Sequence, residues 1–401
     1  MRVHASLSGG PFPETSLGDL EPEPAFAAAE YQERLGRARA AMDMQGLDAL
    51  VVMNPASVFY LSGFQTFAVD GGACLVVPGD GEPALVMDPP EFGGALLGVW
   101  FEDLHGYPPE SDRPAYAAGM LAEHGATRGR IGIDGAAWGA TTAFSAGLAH
   151  ALSQAELVDA TDLLIELKRR KSDAEIKHIR SAALATQAAV AAATSTATAG
   201  VTDGEVAGAA FEAMARAGSE YPCLSPIVTS GRRSGMLHPT HKRHTIQPGD
   251  NVLLEIGGCV QRYTAPQMRT LTVGPPSAEV RAAADACLAA LSAVLEAMGP
   301  GVAARDAAAA GWRELAAAGD DLVFHGTFGY GIGAGFPPNW ADGSGFIRSD
   351  EDSVLEPGVV FHHPVAVRRL GEFGVAFSET SVITEDGCAV LTRGPRELIE
   401  R

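Results

Sequence analysis

Apolar residues recur along this chain at two spacings, one helical and one strand-like, and their alternation outlines the elements. Leu35, Ala38 and Met42 fall at helical spacing within Ala27 to Gln45, and Gly46 supplies the stop. The run 47–53 reads as a strand, Asn54-Pro55 turns, and Val58 to Gly63 leads into a second turn carrying Phe64 and Phe67. ACLVVP and PALVMD, either side of Gly79-Asp80-Gly81, read as a hairpin. Pro114 to His124 and Thr141 to Leu152 predict helices, with the strand 130–134 between them. The alternation makes residues 26–160 one α/β lobe behind a loose, proline-rich arm over 1–25.

Residues 161–401 read as an α+β lobe. Ser172 and Glu175 have capping-box spacing, and an alanine-rich helix with Ile176, Ile179, Leu184 and Val190 on its apolar face runs on to Gly200. Asp203 to Ala217, Ser277 to Met298 and Val302 to Ala318 are further helices. Strands are expected at 226–230, 252–256, 268–273, 324–334, 359–367 and 373–383.

Polar groups inside those strands bring in chemistry. In NVLLEIGGCVQRYTAPQMRT (251–270), Glu255 interrupts an apolar run just before Gly257-Gly258. A buried carboxylate is costly unless it is paired or its proton affinity rises, and glycines let a backbone or ligand approach. Glu255 is therefore either an ion-pair partner of Arg269 or Arg262, or a functional group. His238 follows Met236-Leu237 and precedes Pro239, and histidine shuttles protons near neutrality. The run Gly329 to Gly335 lacks the Lys-Ser/Thr of a phosphate loop, so nucleotide binding is rejected.

Composition narrows the partners. The 401 residues are 46% hydrophobic and 19% charged, which fits a globular chain with two cores. A formal net charge of -20 argues against nucleic acid or an anionic membrane. Five scattered cysteines predict neither a disulfide framework nor a thiolate metal cluster, and a reducing cytoplasm is expected. No stretch is long and apolar enough to span a bilayer, and the N-terminus lacks an apolar signal core.

The order and spacing of GMLHPTHKRHTIQPGD, the Glu255 segment, FHGTFGYGIGAGFPPNW, VVFHHPVAV and GVAFSETSVITEDG resemble the pita-bread family of methionine aminopeptidase, prolidase and creatinase over nearly the whole chain. The resemblance implies a pita-bread C-terminal domain with a smaller creatinase-like N-terminal domain, and a homodimer in which one subunit's N-terminal lobe edges the other's active site. Metallopeptidases of this family hold two metal ions on Asp, Asp, His, Glu and Glu. The matching positions here are Glu255, Pro266, Tyr330, His363 and Ser378, so the resemblance implies a metal-free, cofactor-free branch. A single ion on Glu255, His363 and His238 is the remaining metal alternative.

Within that branch the chain resembles ectoine hydrolase in Glu255-Ile-x-Gly, Arg262-Tyr263-x-Ala-Pro266 before Arg269-Thr, Gly-Tyr330-x-Ile-Gly, Pro337-Pro338-Asn339-Trp340, Phe-His362 and Glu379-Thr-x-x-Ile-Thr-Glu, and departs from it at His363 and in loop 64–72. Creatinase keeps a histidine that falls on His238, but its two substrate-binding glutamates fall on Met268 and His363. The resemblance implies a hydrolase acting on a small cyclic amidine. Glu255 is the expected nucleophile, His238 a proton shuttle, and Glu379 either a catalytic partner or a buried ion-pair member. Tyr330, His362, His363, Trp340, Phe336 and Phe64 are the expected substrate contacts. The competing readings are a creatinase-type amidinohydrolase and a pseudo-peptidase that only binds.

Overall fold

The computed structural model describes residues 3–4, 21–69, 72–108, 110–135, 140–319 and 321–401, so most of the expected arm and part of loop 64–72 lie outside the described residues. The chain divides into two units, Met1–Lys168 and Arg169–Arg401. The junction falls one helix later than the sequence pattern suggests, because Leu163 and Leu164 of Thr161–Arg169 are buried in the first unit's core.

Among the described residues, the first unit is built on a seven-stranded mixed sheet. Cys74–Pro78 and Ala84–Met87 form the expected antiparallel hairpin, and Ala49–Val52 joins them to the parallel pair Gly129–Ile133 and Ala155–Asp159. Val3–His4, inside the expected arm, pairs in parallel with Leu104–Gly106 at the opposite edge. Phe64 is buried in the core on one face of this sheet. That corrects its expected role as a substrate contact.

The described residues of the second unit form a nine-stranded and a three-stranded sheet. Asp173–Thr196 begins at the expected capping box of Ser172 and Glu175, and Asp203–Arg216 has a second one from Thr202 and Glu205. These two helices cover one face of the large sheet, on Val252, Leu254, Ile256 and Leu271. Ala278–Ala297 and Ala304–Leu315 cover the small sheet, on Val365, Val367, Val375 and Phe377.

Three expected strands break in two. Val323–Phe324 separates from Gly329–Phe336, Val360–His362 from Val365–Arg369, and Phe373–Phe377 from Thr380–Thr384. At each break the chain passes between sheets, and Pro364, which cannot donate to a ladder, marks one of the crossings. Asn339–Ile347 pairs with Gly329–Phe336, although its polar, glycine-rich sequence carries no strand period.

The glutamate strand, Asn251–Val260, turns into Tyr263–Thr272 through Gln261 and Arg262, both with positive φ (47° and 65°) as a two-residue hairpin requires. Side chains alternate along it. Val252, Leu254 and Ile256 meet the helices, so Leu253 and Glu255 project from the opposite face, where Leu253 packs with Met268, Ala366 and Ala376. The two glycines after Glu255 serve packing rather than ligand access. A Cβ on Gly257 would lie 2.9 Å from the Trp340 ring, and one on Gly258 would lie 2.9 Å from the Ala182 carbonyl oxygen.

Candidate active site

A cavity of about 250 Å3 is lined by strands of both sheets of the second unit. It is lined by Glu255 and Met268 from the hairpin, Tyr330, Phe346, Pro364, Ala366 and Arg368, with Leu237, His238, Phe324, His325 and Thr327 from loops and strand ends.

Glu255 stands between Met268 on one neighbouring strand and Ile227 on the other. Burial withdraws water from the carboxylate and raises its pKa to about 7, while the Arg368 guanidinium pulls in the opposite direction. Neither expected ion-pair partner is available. Arg269 Nη2 donates to Glu379 at 2.7 Å, and Arg262 is held by the Tyr221 and Gly335 carbonyls and by Glu220 at 3.7 Å. The Glu255 side chain makes no hydrogen bond or ion pair among the described residues.

Arg368 is 3% exposed, and burial lowers its pKa against the opposing pull of Glu255. Its Nε is buried without a hydrogen-bond partner among the described residues. The cavity thus holds a carboxylate and a guanidinium that do not close on each other. His325 beside them has its pKa lowered by burial, then by Arg368 and His238.

His238 has φ +58°, a region non-glycine residues seldom occupy. Its loop is pinned from below. The buried Asp203 carboxylate accepts the amides of Lys242 (3.1 Å) and His244 (3.0 Å), and Arg233 bridges Asp203 (3.2 Å) to the Thr240 carbonyl (2.6 Å).

Behind Tyr330 lies a buried polar group. Trp340 Nε1 donates to the Tyr330 hydroxyl at 2.7 Å, His362 Nδ1 lies 2.8 Å from the same oxygen, and His362 Nε2 lies 2.7 Å from Ser378 Oγ. Burial, and then His363, lower the His362 pKa to about 3, so the ring is neutral.

Of the nine expected site residues, Glu255, His238 and Tyr330 line the cavity. His362 and Trp340 reach it only through Tyr330. His363 is corrected: it lies just past the strand Val360–His362, and its Nδ1 donates to the Phe328 carbonyl (3.0 Å) while Nε2 accepts from Ser381 (2.8 Å). Glu379 is corrected too. It is buried, away from the cavity lining, and its oxygens accept from Arg269, Arg396 (3.1 Å), Gln267 (3.1 Å) and Thr392. Phe336 sits 4.9 Å from the Arg262 guanidinium, outside the cavity lining. Sequence reasoning missed Arg368, His325 and Thr327. The strand period carried a signal for the first, since Pro364, Ala366 and Arg368 share one face and all line the cavity.

The donor set does not suit a two-metal centre. Pro266 has no side-chain donor, both His363 nitrogens are engaged by the Phe328 carbonyl and Ser381, and a guanidinium shares the cavity. Among the described residues no group of three or more His, Cys, Asp or Glu side chains is placed to share a metal ion. No helix among them is long and apolar enough to cross a membrane.

A family model described as metallopeptidase family M24 matches residues 177–385, and one described as creatinase/prolidase N-terminal domain matches residues 34–169. The chain is 28% identical over 387 residues to an uncharacterized hydrolase/peptidase of Sinorhizobium fredii, covering 93% of this chain and 98% of that one. It is 26% identical over 394 residues to an ectoine hydrolase of Halomonas elongata, with the same coverage of 93% and 98%. The crystal structure of the dipeptidase PepE from Mycobacterium ulcerans superposes with a TM-score of 0.79 at 27% identity, over 94% of this chain and 99% of that one.

Proposed function

The chain belongs to metallopeptidase family M24, and from that premise we propose that it is a metal-independent hydrolase that opens a C–N bond of a small cyclic amidine bearing a carboxylate, with ectoine as the best-fitting substrate. One observation carries this reading: Glu255 and Arg368 share a cavity of about 250 Å3, and neither has a closed partner there. A compact zwitterion supplies both, its amidinium to Glu255 and its carboxylate to Arg368. The volume lies below the ~300–1,000 Å3 usual for drug-sized ligands, which suits a single small ring.

The chemistry follows from the placement. A Glu255 oxygen attacks the carbon between the two ring nitrogens and forms a C–O bond. One C–N bond then breaks, its electron pair goes to nitrogen, and a cavity-lining donor, His238 or Tyr330, provides the proton. Water attacks the same carbon, the Glu255 carboxylate departs, and an N-acetylated diamino acid is released. Similarity to the Halomonas elongata ectoine hydrolase supports this reading, and the likeness to a dipeptidase favours a second one, hydrolysis of a zwitterionic dipeptide.

The test is to incubate chelator-treated protein with ectoine, hydroxyectoine, creatine and Xaa-Pro dipeptides, followed by mass spectrometry. The expected result is N-acetyl-diaminobutyrate from ectoine at a rate that chelation leaves unchanged. Dipeptide cleavage that chelation abolishes and manganese or cobalt restores would overturn the reading. Turnover of creatine with ectoine intact would move the chemistry to a creatinase-type route through His238.

A further inference from the structure

The group behind Tyr330 can be assigned proton by proton. The Met268 amide donates to Ser378 Oγ at 2.6 Å, Trp340 Nε1 donates to the Tyr330 hydroxyl, and the neutral His362 ring carries one proton between Tyr330 and Ser378. If that proton sat on Nε2, His362 would donate to Ser378 and Tyr330 would donate to Nδ1. The proton of Ser378, which is fully buried, would then have no acceptor among the described residues, an arrangement folded proteins avoid. If it sits on Nδ1, Ser378 donates to Nε2 and His362 donates to Tyr330. The Tyr330 oxygen then accepts twice, and its own proton has no acceptor but a cavity occupant.

We propose that Trp340, His362 and Ser378 are positioning residues that hold the Tyr330 hydroxyl as a donor into the cavity, and that Tyr330 is the general acid for the leaving ring nitrogen. This rests on the ring-opening reading above. Both nitrogens of an amidinium are N–H donors without a free lone pair, so the hydroxyl has nothing to donate to in the ground state. When Glu255 adds to the carbon, an electron pair localises on nitrogen. The Tyr330 proton passes to it, the C–N electrons follow, and the second nitrogen's pair forms the C=N bond. Trp340 and His362 donate to the resulting phenolate, which takes its proton back from the attacking water. The contact exists only after attack, which is the condition for accelerating the step.

The electrostatics set the same order. Burial, and then the Glu255 charge, hold the Tyr330 pKa well above its ordinary value, so the resting hydroxyl is protonated. Formation of the Glu255 ester bond removes that charge just when a phenolate must form.

The test pairs nitrogen NMR on 15N-histidine-labelled wild-type protein with steady-state kinetics. The expected spectrum shows His362 as the Nδ1–H tautomer. Tyr330→Phe is expected to lower kcat by ~100- to 10,000-fold with KM nearly unchanged. Ser378→Ala should move His362 towards Nε2–H and lower kcat, and Ser378→Thr should restore both. An Nε2–H tautomer in the wild type overturns the proton arrangement even if no variant folds. A Tyr330→Phe protein with wild-type kcat overturns the acid role. If wild-type protein opens no amidine ring, the ring-opening reading and the acid role fall together, and the labelled spectrum decides the proton arrangement alone.

Discussion

Glu255 is least comfortable when charged, and this fixes how stability and activity change with pH. Its folded pKa is raised to about 7 from an ordinary 4.5, so between those values the folded chain holds a proton that the unfolded chain has lost. The contribution of Glu255 to stability is therefore most favourable below about pH 4.5 and falls as pH rises to 7, by about 3 kcal/mol, then levels. Glu255→Gln removes the effect: the variant should match wild type in melting temperature at pH 5 and exceed it at pH 8, and a variant less stable at both contradicts an unpaired carboxylate. The nucleophile must be ionised, so kcat/KM of the wild type should climb about tenfold per pH unit and flatten near 7. Arg368→Gln removes a charged bond of ~1.5–3 kcal/mol, so KM should rise ~10- to 150-fold with kcat little changed; an unaltered KM contradicts its contact with the substrate. Glu255 was legible as a carboxylate inside an apolar run, and His238 and Tyr330 through the family resemblance. Arg368 was overlooked, since Arg368-Arg369 at a strand end resembles an exit to solvent, although its period with Ala366 places it on the cavity face. His362 and His363 could not be told apart by type, only by the direction each faces.

The elements were more legible than the site because helical and strand periods survive in the sequence. The four long helices of the second unit and its central hairpin follow the pattern to within a few residues, with the capping box at Ser172 confirmed. What the pattern could not give was where a strand leaves one sheet for another: His362-His363-Pro364 and Ser378-Glu379 interrupt the apolar runs of 359–367 and 373–383, but a polar interruption alone does not say that the chain changes sheet. The purpose of Gly257-Gly258 was also hidden, because an absent side chain does not say what approaches. Gly258→Ala places a Cβ 2.9 Å from the Ala182 carbonyl and 3.0 Å from the Thr186 amide, backbone atoms that cannot swing aside. Denaturant unfolding should show ~1–3 kcal/mol of destabilisation, and a neutral result would mean the helix Asp173–Thr196 gives way.

For the whole molecule, we propose a homodimer, which the pita-bread resemblance implies, and light scattering should find two chains per particle. A fully active monomer contradicts it. Covalent capture tells whether the Glu255 carboxylate, rather than a metal ion, is the group that attacks the substrate. Metal-stripped protein mixed with less than one equivalent of ectoine, quenched in acid within a single turnover and digested for mass spectrometry, should show the whole substrate attached to the peptide containing Glu255, and no adduct in Glu255→Gln. Full turnover with no adduct at Glu255, together with an active Glu255→Gln protein, would contradict the account.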